Sequence, residues 1–145
     1  MTLPTYSSGL LFTRAHAAVR SATYAILETH GLTPSYWAIL GAAVRSEEGV
    51  RLASVAKQMD VKAPLVTMLA GDLIDKGLIN RVPHHTDKRA KLLVATAKGK
   101  KLADVIEAEL SQIIAEFLQG ASREQVNAFQ GVLEIILANA TRSSS

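Results

Sequence analysis

The sequence predicts a mainly α protein with one small β-hairpin, and three observations predict it. Apolar residues recur at helical spacing over most of the chain. Glycine, proline and Ser/Thr caps punctuate that spacing at short intervals. One stretch, residues 54–99, runs helix, tight turn, helix and then a basic hairpin. At 145 residues the chain has one domain's worth of length, and its 48% apolar but only 5% aromatic content suits a helical core packed with aliphatic side chains. Helix, turn, helix and hairpin in that order is the plan of a winged helix-turn-helix, flanked here by N- and C-terminal helices.

Residues 10–30 read as the first helix, with Leu11, Ala15, Val19, Ala22 and Ile26 on one face and Gly31 closing it. Thr33 followed by Pro34 marks the start of a second. The threonine hydroxyl can cap free N–H groups and proline loses nothing in a first turn, so the helix continues through Tyr36, Trp37, Ile39 and Leu40 to about Arg45. Residues 46–51, with an acidic pair and Gly49, read as a loop. A short helix over 54–59 gives way at Asp60, Val61 and Lys62 to another, whose Val66, Leu69, Ala70 and Leu73 recur at i, i+3, i+4 and i+7 and face a core.

The opposite face of that helix carries Pro64, Thr67, Met68, Gly71, Asp72 and Asp75. It stops at Lys76 and Gly77, a cation at the negative end of the helix dipole followed by a residue tolerant of the left-handed conformation. Strands over 78–82 and 91–95 follow, joined by residues 83–90, which hold Pro, two His, Thr, Asp, Lys and Arg. Thr96 caps a long helix carrying Leu102, Ile106, Leu110, Ile113 and Phe117 and ending at Gly120. Ser122 with Gln125 forms a capping box for a last helix bearing Val126, Phe129, Leu133, Ile136 and Leu137, and residues 143–145 read as a frayed tail.

Composition removes several function classes. Without cysteine there is no disulfide framework and no thiol redox switch, and a reducing compartment fits. No apolar run approaches the roughly 18 residues of a membrane span, and the first nine residues lack the basic start and apolar stretch of a signal peptide, so the expected location is the cytoplasm, away from any membrane. A Gly-rich phosphate loop, a nucleophile elbow and the local His or carboxylate pairings of a hydrolase are all missing, which argues against an enzyme and implies no cofactor. His84 and His85 are adjacent, and His16 and His30 lie on or beside the first helix, which keeps a metal-responsive regulator as an alternative. Adjacent histidines rarely share one tetrahedral metal, so no metal site is assigned.

Net charge is +3, but its distribution is uneven. Residues 45–101 hold 12 Lys or Arg against 6 Asp or Glu, whereas residues 104–145 hold 2 basic against 6 acidic residues. Clustered cations of this kind are how a chain neutralises phosphates, and together with the helix-turn-helix pattern they make double-stranded DNA the expected partner. The two C-terminal helices carry adjacent large apolar residues on differing faces, among them Ile113, Ile114, Phe117, Leu118, Ile135, Ile136 and Leu137. This excess predicts a two-fold homodimer in which the terminal helices of both copies interlock.

The stretch 54–99 resembles the MarR family of bacterial transcription regulators. The likeness rests on the apolar spacing of the helix pair, the phrase DKGLINR leading into the first wing strand, Asp87-Lys88-Arg89 at that family's D-x-R wing signature, and the TAKG that opens the next helix. It implies a single MarR-like domain over 1–145, with 10–45 and 99–140 as the helical dimerisation part and 50–98 as the DNA reader. It places Arg89 at the wing position, where an arginine can enter a narrow minor groove. Lys88, Lys91, His84 and His85 can contact phosphates, the histidines adding charge only when protonated. Asp87 is expected to brace the hairpin.

The reader helix departs from the family pattern. Lys62, Pro64, Leu65, Thr67 and Met68 stand where relatives tend to have Ser, Thr and Arg, and Gly71 and Asp72 stand where an Asp-Arg pair often locks the wing. Apolar contacts from Pro64, Thr67 and Met68 to thymine methyls, with Lys62 on a phosphate or guanine, are the readout this leaves. Arg51 occupies a position where the family commonly has a capping Ser or Thr. The resemblance further implies a crevice that accepts a small aromatic or phenolic anion, lined in the matching helices by Phe12, His16, Arg20, Tyr36 and Trp37. A dimeric repressor released from a pseudo-palindromic operator by such a ligand is the expected function. The competing reading is a degenerate winged-helix module that binds a protein, motivated by the donor-poor reader helix.

Overall fold

A computed structural model describes residues 5–143 as α1 (Thr5–Thr29), α2 (Pro34–Val44), β1 (Val50–Arg51), α3 (Leu52–Met59), α4 (Ala63–Asp75), β2 (Ile79–Pro83), β3 (Lys91–Ala95), α5 (Ala97–Phe117) and α6 (Arg123–Ser143). The chain divides into two compact units, Met1–Ser111 and Gln112–Ser145. Ser144 and Ser145, most of the predicted tail, lie outside the described residues. The mainly helical class with a small wing is the architecture observed.

Local signals set most of the element ends. The Thr33 hydroxyl accepts the Tyr36 amide at 3.3 Å and Pro34 sits in the first turn of α2. Ser122 and Gln125 make the reciprocal capping box that starts α6, at 2.8 and 3.2 Å. Helix α4 closes with Gly77 at φ +71° while Leu78 donates to the Leu73 carbonyl at 3.0 Å, satisfying a carbonyl the helix leaves over. Asp60, at φ 53°, plays the same left-handed part between α3 and α4. An aspartate tolerates this conformation better than most side chains.

The structure extends two of the sequence readings, shortens one and corrects one. Helix α1 begins at Thr5 rather than near residue 10, since the weak helix formers Ser7, Ser8 and Gly9 do not interrupt it. Val50 and Arg51, read as part of a loop, form β1, so the wing is a three-stranded antiparallel sheet in the order β1-β3-β2 and not a bare hairpin. Val50 pairs with Leu93 and Arg51 with Leu92, a partnership made across some forty residues that two strand residues cannot announce by periodicity. Because β1 runs straight into α3, that helix starts at Leu52 instead of residue 54. Helix α5 ends at Phe117, three residues before Gly120, whose φ of +91° turns the chain towards α6.

The core of the first unit joins α1, α2, the helix pair, the sheet and the start of α5. Leu27, Ile39, Leu40, Val55, Val66, Leu73, Ile79, Leu93 and Ile106 are fully buried. Each contributes about 1.5–3 kcal/mol by leaving water. On α4, Val66, Ala70 and Leu73 are buried as predicted and Leu69 is half-buried. On α1, however, only Ile26 of the predicted stripe is buried, while Leu11, Ala15 and Val19 are exposed. Residues 9–21 of this helix are all exposed. In the second unit no described side chain is buried, and Phe129, Val132, Ile135, Ile136 and Leu137 are each at least half exposed.

Candidate nucleic-acid interface

Two neighbouring surfaces of the first unit carry the predicted contacts: the outer face of α4 and the loop between β2 and β3. Lys62, Pro64, Thr67 and Met68 are all exposed, Met68 at 59%. Lys62 stands at the N-terminus of α4 without a side-chain cap, leaving amide donors of the first turn outward, where they favour an anion. Thr67 donates its hydroxyl hydrogen to the Ala63 carbonyl at 3.1 Å, which spends the only side-chain donor on the middle of this face. Leu65, 40% exposed, extends the apolar surface. The face therefore offers methyl, methylene and thioether groups flanked by cations.

Two residues of the predicted α4 stripe stand apart from the rest. A Cβ on Gly71 would meet nothing within 4 Å, so no neighbour in the chain requires glycine there. Asp72 is half-buried and accepts a hydrogen bond from the Tyr36 hydroxyl of α2 at 2.7 Å. That bond raises the phenol's pKa above its ordinary 10.0, with desolvation and the adjacent carboxylate charge acting in the same direction. A raised phenol pKa stabilises the fold fully below pH 10, and the contribution is lost as pH climbs through the higher folded value. Tyr36→Phe is expected to lower the melting temperature at about pH 8 and to narrow the gap from the unmodified protein by about pH 11. Paired thermal melts check this, and parallel curves at both values would contradict it.

The wing loop is held by its own polar groups. His84 donates its amide to the Ala90 carbonyl at 3.1 Å, and the Ala90 amide donates to the Asp87 carbonyl at 3.0 Å. Asp87 Oδ1 accepts the Arg89 amide at 3.1 Å, the bracing role expected of it. The His84 ring turns onto the loop, its Nδ1 accepting the amides of Thr86 at 3.3 Å and Asp87 at 3.1 Å. Arg51 reaches over from β1, with Nη2 3.2 Å from His84 Nε2 and Nη1 4.0 Å from Asp87 Oδ2. Lys88, Arg89, Lys91 and His85 are exposed around this frame.

Sequence reasoning missed two cations of this surface. Arg51 was noted only as a departure at a helix cap, where it makes no side-chain cap, and its place beside the wing depends on β1. Arg81, exposed on β2, points its guanidinium at the Thr67 carbonyl at 3.5 Å and so joins wing and reader helix. Its odd-even register in DKGLINR was the available signal.

The predicted ligand residues are less concentrated. Phe12, His16 and Arg20 are exposed on α1, where Arg20 lies over the Tyr24 ring at 5.9 Å. Tyr36 and Trp37 are half-buried on α2. Among the described residues no hydrogen bond or ring contact joins the α1 set to the α2 pair. His30 is engaged by both carboxylate oxygens of Glu109 at 3.1 Å, tying the end of α1 to α5. Among the described residues no three His, Cys, Asp or Glu side chains are grouped to hold a metal ion, and no helix is long and apolar enough to cross a membrane.

Comparison with known proteins places these surfaces in context. A model of the MarR family matches residues 30–90. A MarR-family transcriptional regulator from Rhodococcus sp. RHA1 has a similar structure, with 26% identity over 94% of this chain and 96% of the other and a TM-score of 0.79. CouR from Rhodococcus jostii RHA1, solved bound to p-coumaroyl-CoA, is 26% identical over 94% of this chain and 95% of its own, with a TM-score of 0.82. The S. aureus MepR–DNA complex shares the fold at a TM-score of 0.75 and 24% identity, over 93% of this chain and 98% of that one.

Proposed function

Because this chain belongs to the MarR family of winged helix-turn-helix transcriptional regulators, we propose that it acts as a dimeric repressor bound to a pseudo-palindromic operator. The observation that carries this reading is the pairing of a cation-rimmed wing and reader helix in one unit with an uncovered apolar helix in the other. The apolar residues of α6 supply the dimer contact. Two readers then face successive major-groove turns about 34 Å apart.

On each half-site α4 lies in the major groove, where Pro64, Thr67 and Met68 touch thymine methyls and Lys62 takes a phosphate or guanine. Arg89 enters the adjoining minor groove, aided by the enhanced negative potential of A·T-rich steps. Lys88, Lys91 and His85 add phosphate contacts. A small aromatic or phenolic anion releases the DNA by favouring a reader spacing that the operator rejects, the shift being limited to its differential affinity for the two arrangements. That CouR is solved with an aromatic acyl thioester supports this ligand class, with Phe12, His16, Arg20, Tyr36 and Trp37 as the residues to vary.

Selection of bound duplexes from random DNA, followed by salt titration, tests the proposal. The expected result is an A·T-rich, roughly palindromic site whose affinity falls steeply with salt, and Arg89→Ala should weaken it about tenfold or more. Recovery of no preferred sequence would favour a protein-binding module instead, using the apolar face around Leu65 and Met68.

A further inference from the structure

We propose that His84 is a positioning residue of the wing: its ring caps the loop amides and so fixes the direction in which Arg89 leaves the hairpin. The inference rests on the reading of Arg89 as a DNA contact. Residues 84–90 form a seven-residue connection beyond the Pro83–Lys91 pair that ends the β2–β3 ladder. A loop of this length at a sheet tip has no ladder to hold it, and its shape depends on where its amides go.

Here five of them go inward. The amides of His84 and Ala90 donate to loop carbonyls, that of Arg89 to Asp87 Oδ1, and those of Thr86 and Asp87 both to His84 Nδ1. The last two bonds run from residues i+2 and i+3 back to the side chain of residue i, a pattern ordinarily made by Asn or Asp. The imidazole reproduces it because Nδ1 sits about as far along the side chain as an amide oxygen. An imidazole whose Nδ1 accepts carries its proton on Nε2. With Nδ1 accepting, Nε2 cannot also accept from Arg51, so the guanidinium 3.2 Å away is a contact and not a hydrogen bond, and the acceptor it has at this turn is Asp87 Oδ2 at 4.0 Å. A ring turned onto its own loop is half-buried there, which separates His84 from the exposed His85 beside it.

The test is operator binding with salt titration on the full-length protein and on His84→Ala, His84→Asn, Arg89→Ala and the His84→Ala/Arg89→Ala double variant. His84→Ala should weaken binding about tenfold while leaving the salt slope unchanged, because no phosphate contact is removed. His84→Asn should restore affinity, since its Oδ1 can accept the same amides. In the Arg89→Ala background His84→Ala should cost under about twofold, the non-additivity of residues acting through one contact. Amide exchange at Thr86 and Asp87, read without DNA, should quicken in His84→Ala and not in His84→Asn. If His84→Asn is as weak as His84→Ala with a slope shallower by about one, His84 is a phosphate contact and the proposal is overturned. If Arg89→Ala loses binding but His84→Ala does not, the proposal alone fails. If Arg89→Ala binds as tightly as the unmodified protein, the wing reading fails and takes the proposal with it.

Discussion

Replacing Gly99 by alanine is expected to destabilise the protein by about 3 kcal/mol, a large effect for adding one methyl group. Gly99 is buried in the first turn of α5, and a Cβ there would overlap the backbone carbonyl oxygen of Leu78 and lie 3.3 Å from Leu40 Cδ1. The carbonyl cannot swing away. It accepts both the amide and the hydroxyl of Thr96, each at 3.1 Å, and that hydroxyl oxygen also lies 2.7 Å from the Gly77 carbonyl and accepts the Gly99 amide at 3.0 Å. One junction thus joins the end of α4, the residue that leads into β2 and the start of α5. Relief requires either lifting α5 from Leu40 and Leu78 or breaking the Thr96 cap. Urea unfolding at constant slope measures the loss through its midpoint. A change under about 0.5 kcal/mol would mean that the helix start shifts freely and that the junction does not hold the wing.

The second large effect concerns assembly. Ile135→Glu together with Leu137→Glu is expected to give a monomer whose operator affinity is at least about 100-fold lower, because linking two readers is what multiplies their separate affinities. Ile135 is 61% and Leu137 67% exposed, on a helix where Phe129, Val132 and Ile136 are also uncovered. Apolar surface of this extent is stabilised by burial at about 25 cal/mol per Å2, and a second copy is the partner the two-fold reading supplies. Both substitutions lie in the unit 112–145, which contains no residue of the reader, so single-copy folding of residues up to 111 should persist by circular dichroism. Sedimentation reads the assembly state. A variant that remains dimeric, or an unmodified protein that is already monomeric, would remove α6 from the proposed interface.

Legibility in the sequence followed the range of each interaction. Thr33, Ser122, Gln125, Gly31 and Gly77 act on backbone groups within a few residues of themselves, and each ends or begins a helix where its type predicts. The stripe Val66, Ala70 and Leu73 was equally legible, since helical periodicity alone puts the three on one side. The wing strands read correctly to within a residue. Arg51 is the contrary case. Its type suits no helix cap, and its use appears only when β1 pairs with β3 and carries the guanidinium to Asp87 and His84.

Thus the sequence by itself determined the mainly helical class, the order of elements, the helix-turn-helix with its basic wing, and the apolar excess of the terminal helices. All of these follow from composition, caps and spacing, which are local properties of the chain. Only the tertiary structure decided that Val50 and Arg51 are a strand, that Asp72 belongs to Tyr36 rather than to an open face, that the His84 ring serves its own loop, and that Gly99 leaves no room for a methyl group. Three of these four depend on partners about 20 to 40 residues away in sequence, brought within reach by the packing of other elements. The His84 contact is close in sequence, yet its ring direction is a choice between loop and solvent that no residue type announces.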